Sequence, residues 1–233
     1  MKVAGQVATK PATAVDAATP VLVEDDGGEQ WVSRGAHKLL GALEAFGYDP
    51  TGKRALDAGA STGGFTDVLL RRGASHVVAV DVGYGLLAWS LRTDERVTVV
   101  ERVNARHLDP ELVGEPVDVV VADLSFIPLG LVLPALVACA KPGADLLPMV
   151  KPQFEVGKEQ LPSGGVVRDP VARAGAVRRV AEQAAELGLG VLGVVASPLP
   201  GPSGNVEYFL WLRAGAPPLD EAALARAVAD GPQ

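Results

Sequence analysis

Asp57, Asp81, Asp123 and Lys151 each stand at or just past the end of a short apolar run: Arg54–Ala58, His76–Asp81, Val117–Ala122 and 144–150. Runs of this kind, alternating with helical patterns, read as buried parallel strands. Ligands of such sheets bind beyond the carboxyl ends of the strands, so polar groups at four successive ends make a site. The first end opens into Asp57-x-Gly59-x-Ser61-x-Gly63-Gly64-Phe65, a glycine-rich turn leading into a helix. Its glycines allow a tight turn and close approach to a ligand, and the helix start offers free N–H groups. The segment lacks the Gly-Lys-Ser/Thr of a phosphate-cradling loop and the Gly-x-Gly-x-x-Gly spacing of a dinucleotide fold. The Asp57 carboxylate would repel a pyrophosphate. It suits a ligand with a cationic amino-acid end, and S-adenosylmethionine is the expected cofactor. Asp81 is placed to accept from ribose hydroxyls, and Asn104 to meet the adenine edge. The expected cofactor-binding set is Asp57, Gly59, Ser61, Gly63, Gly64, Phe65, Asp81, Asn104 and Asp123.

The methyl acceptor decides which further residues are needed, because the protein must orient the acceptor and manage its proton. Methylation of base amino groups usually calls for Asp/Asn-Pro-Pro-aromatic after the fourth strand. This chain has Asp123-Leu124-Ser125-Phe126 there. Methylation at cytosine C5 needs a cysteine nucleophile, and the single cysteine, Cys139, falls in an apolar helical pattern that reads as core. A hydroxyl acceptor needs a base or a polarising cation. Lys151 at a strand end, Lys38 on the first helix and Glu207 on the last strand are the candidates. A lysine at a buried strand end is costly unless paired or functional.

The elements that must position these residues follow from periodicity. Helices are expected over 35–47, 65–72, 131–140 and from the Asp169-Pro170 cap to about Leu187. Strands are expected at Arg54–Ala58, His76–Asp81, 97–100, Val117–Ala122, 144–150, Leu189–Ala196 and 206–212. Together they give an α/β, Rossmann-like, seven-stranded, mainly parallel sheet with helices on both faces. One cysteine excludes an internal disulfide and a multi-cysteine zinc site, and three scattered histidines speak against a metal. No run is long and apolar enough for a membrane span, and the N-terminus lacks a secretory pattern. The expectation is a cytoplasmic monomer with no metal and no membrane. The net charge of −7 is unevenly spread: 31–54 and 151–180 are locally basic.

Five segments in order resemble the TlyA (hemolysin A-like) ribosomal RNA methyltransferases, whose catalytic domain is of the FtsJ type. They are Ser33-Arg34-Gly35-Ala36-His37-Lys38-Leu39, the Leu56 to Phe65 loop, Ala122-Asp123-Leu124-Ser125-Phe126, Val150-Lys151-Pro152-Gln153-Phe154-Glu155, and the run from Ser197 to Tyr208 containing Pro200-Gly201-Pro202-Ser203-Gly204-Asn205-Val206-Glu207. The resemblance implies a class I S-adenosylmethionine-dependent fold. It implies 2′-O-methylation of cytidine in 16S and 23S ribosomal RNA, or in 23S alone. It carries a Lys-Asp-Lys-Glu catalytic tetrad onto Lys38, Asp123, Lys151 and Glu207. Lys151 would meet the 2′-hydroxyl and its proton, Lys38 and Asp123 would set its charge state and orientation, and Glu207 would position the partner lysine or the ribose. Arg34, Lys158 and Arg168 become the expected RNA contacts. The implied division is a remnant of an S4-type RNA-binding domain at 1–28, a linker at 29–32 around Trp31-Val32, the methyltransferase domain at 33–214 and a helical tail at 215–233. The alternatives are a non-catalytic ribosome-binding or assembly factor and, from the family's older label, a hemolysin.

Overall fold

The computed structural model describes residues 2–4, 6–7, 15–16, 19–22, 30–157 and 161–232. The chain divides into two compact units, Met1–Gln30 and Trp31–Gln233. In the first, three two-residue strands, β1 (Lys2–Val3), β2 (Gln6–Val7) and β3 (Val21–Leu22), form an antiparallel sheet in the order β2-β1-β3.

The second unit opens with α1 (Ala36–Phe46), which ends at Gly47 in the left-handed conformation that glycine adopts without strain. There follow β4 (Arg54–Ala58), α2 (Gly64–Arg71), β5 (His76–Asp81), the short α3 (Trp89–Arg92), β6 (Val97–Glu101), the short α4 (Pro110–Val113) and β7 (Val117–Ala122). The chain continues through α5 (Leu133–Ala138), β8 (Ala140–Val150), the single-turn α6 (Pro152–Glu155), α7 (Pro170–Glu186), β9 (Leu189–Ala196), β10 (Tyr208–Ala214) and α8 (Glu221–Asp230). The seven strands β4 to β10 lie in the order β6-β5-β4-β7-β8-β10-β9. β6 to β8 are parallel and β10 runs antiparallel to both β8 and β9. This is the mainly parallel, seven-stranded sheet expected from the alternation of apolar strands and helices.

The strand period of two divides the core. On one face, Leu56, Val78, Val80 and Val120 pack with Leu133, Leu136, Val177 and Val180 from α5 and α7. On the other, Ala55, Val77, Val119, Val121 and Leu147 pack with Leu39, Leu43, Val68 and Leu69 from α1 and α2. Leu224 and Ala227 of α8 join the first layer beside Val191 and Val194 of β9. Asp169 caps α7 as expected, its carboxylate accepting from the Val171 N–H.

Three elements differ in their bounds from the sequence reading. The helix expected over 131–140 is split into a 3-10 turn, Leu129–Leu131, and the shorter α5. Ala140 already belongs to β8, where Pro142-Gly143 sits in a bulge between the Val117–Ala140 and Val119–Asp145 pairs. Glu207 lies one residue ahead of β10 rather than within a strand.

Candidate active site

β4, β5, β7 and β8 all end at one edge of the sheet. Because β10 is antiparallel to β8, with Tyr208 opposite Val150, its first end falls at that same edge. Glu207 is therefore delivered beside Lys151 although nearly a quarter of the chain separates them. Lys38 arrives from the first turn of α1.

The four residues of the expected tetrad form two ion pairs. Lys38 Nζ lies 2.5 Å from Glu207 Oε2, with both side chains buried. Lys151 Nζ lies 2.6 Å from Asp123 Oδ1 and donates to Ser125 Oγ at 2.9 Å. Lys38 and Lys151 are only 6% and 7% exposed. A lysine this far from water needs a carboxylate partner to remain charged.

Two cavities meet at this edge. One, of about 510 Å³, is lined by Gly59, Ser61, Asp81, Asn104 and Asp123 among apolar walls such as Val80 and Ile127. The other, of about 810 Å³, is lined by Lys151, Glu207, Gln153, Phe154, Gly201 and Asn205. Ser125 and Phe126 border both. Phe126 is 90% exposed, its ring 5.1 Å from that of Phe154. Its φ of +64° is a left-handed conformation that costs a non-glycine residue energy.

The glycine-rich turn is held from several sides. Asp81 Oδ2 accepts from the Ser61 N–H at 2.8 Å and its Oδ1 from the Gly83 N–H at 2.7 Å. Ser61 itself has φ +49°. Gly59 has φ +85°, and a Cβ there would stand 2.6 Å from the Asp123 carbonyl oxygen. Asn104 Oδ1 caps a 3-10 turn by accepting from the Arg106 N–H.

Several expected cofactor residues are placed otherwise. Asp57 does not line the cavity. The strand period puts it on the Ala55 face, under α2, where it is fully buried and Oδ2 accepts from the Thr66 hydroxyl at 2.7 Å. Burial raises its pKa to about 7, the Thr66 bond opposes the rise, and Asp123 and Asp81 add to it. Its Oδ1 is buried with no partner. Gly63 and Gly64 serve close packing: a Cβ on Gly63 would collide with Leu91 and Leu87, and one on Gly64 with Ser33 and Ala36. Phe65 is a core residue, its ring 5.9 Å from Phe209. Of the expected RNA contacts, Arg34 and Arg168 are exposed, and Lys158 lies outside the described residues. Ser125, Phe126, Gln153 and Gly201 line the site without having been singled out, although all four lie in segments that carried the family resemblance.

These residues fit the expected cofactor. The 510 Å³ cavity joins polar ends, Asp81 and Asn104, to apolar walls. The close approach at Gly59 leaves no room for a side chain.

Residues 31–214 match the FtsJ-like methyltransferases. The chain is 62% identical to the 16S/23S rRNA (cytidine-2′-O)-methyltransferase TlyA of Mycobacterium tuberculosis, over all of this chain and 88% of that protein. It is 36% identical to the 23S rRNA (cytidine-2′-O)-methyltransferase TlyA of Campylobacter jejuni, over 78% of this chain and 71% of that one. A solved structure described as a hemolysin from Streptococcus thermophilus superposes with a TM-score of 0.83 at 38% identity, covering 88% of this chain and 75% of that one. On these matches and on the site just described, the chain belongs to the FtsJ-like methyltransferase family, in its TlyA group.

Proposed function

We propose that this protein transfers a methyl group from S-adenosylmethionine to the 2′-hydroxyl of cytidine in ribosomal RNA, of the small subunit, the large subunit or both. The observation that carries the reading is Lys151 and Glu207 in the wall of the larger cavity, Lys151 paired with Asp123 and Glu207 with the buried Lys38. A hydroxyl acceptor needs such groups, whereas base-amino or carbon methylation needs residues this edge does not present.

The smaller cavity is assigned to the cofactor. Asp81 and Asn104 would take the nucleoside end, and Gly59 and Ser61 the backbone of the turn. S-adenosylmethionine, when bound, supplies an electrophilic methyl carbon. The larger cavity is assigned to the acceptor nucleotide, with Phe126 and Phe154 offering aromatic faces to its base. Lys151 Nζ, after losing its ammonium proton to solvent, receives the proton of the 2′-hydroxyl as the new O–C bond forms and the bond from the methyl carbon to the cofactor's sulfur breaks. Asp123 Oδ1 and Ser125 Oγ fix Nζ in place, and the Asp123 carboxylate offsets the positive charge that arrives there. Lys38 and Glu207 hold the acceptor side of the site, with Glu207 keeping Lys38 charged and oriented.

In this reading 33–214 is the methyltransferase domain, 215–233 its C-terminal tail, and the N-terminal unit with the 29–32 linker is the S4-type part. Arg34, Lys158 and Arg168 contact RNA phosphates. The protein works in the cytoplasm, where its ribosomal substrate is, as a monomer that needs no metal. Single-turnover transfer of labelled methyl groups to purified subunits that lack the modification tests the proposal. Transfer within the first turnover is expected, and binding to subunits without transfer would replace the enzyme by an assembly factor.

A further inference from the structure

The geometry points to Gly201 as a positioning residue for the Glu207 carboxylate. The inference rests on the catalytic reading given above. Glu207 is 1% exposed, and its backbone is fixed where its carbonyl accepts from the Ser197 N–H at 2.7 Å. Its side chain then meets two neighbours. Lys38 Nζ takes Oε2, and Oε1 rests against the bare Cα of Gly201, where a Cβ would stand 2.7 Å from it.

Gly201 is held firmly in that place. Its N–H donates to the Asn205 carbonyl and its own carbonyl accepts from the Gly204 N–H, both at 2.9 Å. Asn205 in turn ties the turn to a neighbouring loop, accepting from the Val167 N–H and donating to the Gly165 carbonyl. The turn therefore cannot retreat. Gly201 does not have the positive φ that only glycine tolerates well, so its backbone admits alanine. What alanine would strike is the carboxylate, the free end of a flexible side chain, and not backbone. The clash is relieved by swinging the carboxylate away from Lys38 while the fold stands. The missing side chain at Gly201 thus fixes where the charge of Glu207 lies.

The test compares Gly201→Ala, Glu207→Ala and the double variant in single-turnover methyl transfer to unmodified ribosomal subunits, with S-adenosylmethionine binding followed by calorimetry. Gly201→Ala is expected to lower the transfer rate about 10- to 100-fold, the range for a displacement of about an ångström at a reacting site. Cofactor affinity should change less than about twofold. In the Glu207→Ala background the same substitution should cost less than about twofold, because the atom it strikes is gone. That non-additivity separates positioning from a general packing role. Wild-type rates for Gly201→Ala beside an impaired Glu207→Ala would overturn the inference and leave the catalytic reading intact. An equal loss in both backgrounds would overturn it too. Wild-type transfer by Glu207→Ala would overturn the catalytic reading, and the inference with it.

Discussion

Replacing Glu207 by leucine removes one member of a buried ion pair and leaves the Lys38 ammonium, 6% exposed, facing an apolar side chain. At a separation of 2.5 Å, an effective dielectric of about 20 gives a gross attraction of about 7 kcal/mol. Desolvation of both ions offsets much of this. Deleting one partner of a buried pair nevertheless costs about 3–5 kcal/mol, because the surviving charge stays buried. For a domain of this size that lowers Tm by roughly 6–20 °C. Methyl transfer should be lost as well. The informative partner is Lys38→Met/Glu207→Leu. Buried pairs exchanged for apolar side chains of similar volume are often neutral or stabilising, so the double variant should regain most of the lost stability. It should not regain activity, since the charges are what the site uses. Urea unfolding measures the first quantity and single-turnover transfer the second. A Glu207→Leu protein as stable as the wild type would refute the buried-charge argument. A stable and active double variant would refute the role of the pair in the reaction.

Three further outcomes are expected. Asp57 is a carboxyl whose folded pKa is raised, so its contribution to stability is full below about pH 4 and is lost as pH rises through about 7. Without cofactor, Asp57→Asn should gain stability over the wild type between about pH 5 and 8, by on the order of 4 kcal/mol at the upper end, and a pH-independent difference in unfolding free energy would count against it. Gly59→Ala places a Cβ against the Asp123 carbonyl at a positive φ, which should weaken calorimetric S-adenosylmethionine binding at least about tenfold and lower stability by about 1–3 kcal/mol. Phe126→Gly relieves a left-handed φ on a ring that buries little of itself; stability should rise by about 1 kcal/mol while methyl transfer falls, and a faster enzyme would contradict the place given to that ring in the acceptor cavity.

Much of the site was legible because parallel strands deliver their ends to one edge. The alternation of strands and helices alone put Asp81, Asp123 and Lys151 together. The pairing of Lys38 with Glu207 was not legible from that alternation. Lys38 and Glu207 meet from 169 residues apart, one supplied by α1 and the other by the residue ahead of β10, which runs antiparallel to β8. Asp57 was read as a ligand contact because its carboxylate suits a cationic amino-acid end, and Phe65 was expected beside it at the end of the glycine turn. The strand period instead sends Asp57 to the sheet–helix interface, and α2 turns Phe65 towards Phe209. Gly201 carried no signal of its own, since what matters there is a side chain that is absent beside a carboxylate six residues on. Cys139, read as core from its apolar surroundings, is buried at the end of α5.

The most direct test of the central claim is nucleoside analysis of ribosomal RNA from unmodified subunits after incubation with S-adenosylmethionine and either the wild-type protein or Lys151→Met. The account predicts new 2′-O-methylcytidine with the wild type and none with the variant, while calorimetry shows the variant still binding the cofactor. A methyl group on a base, or 2′-O-methylcytidine formed at wild-type rates by Lys151→Met, would contradict it.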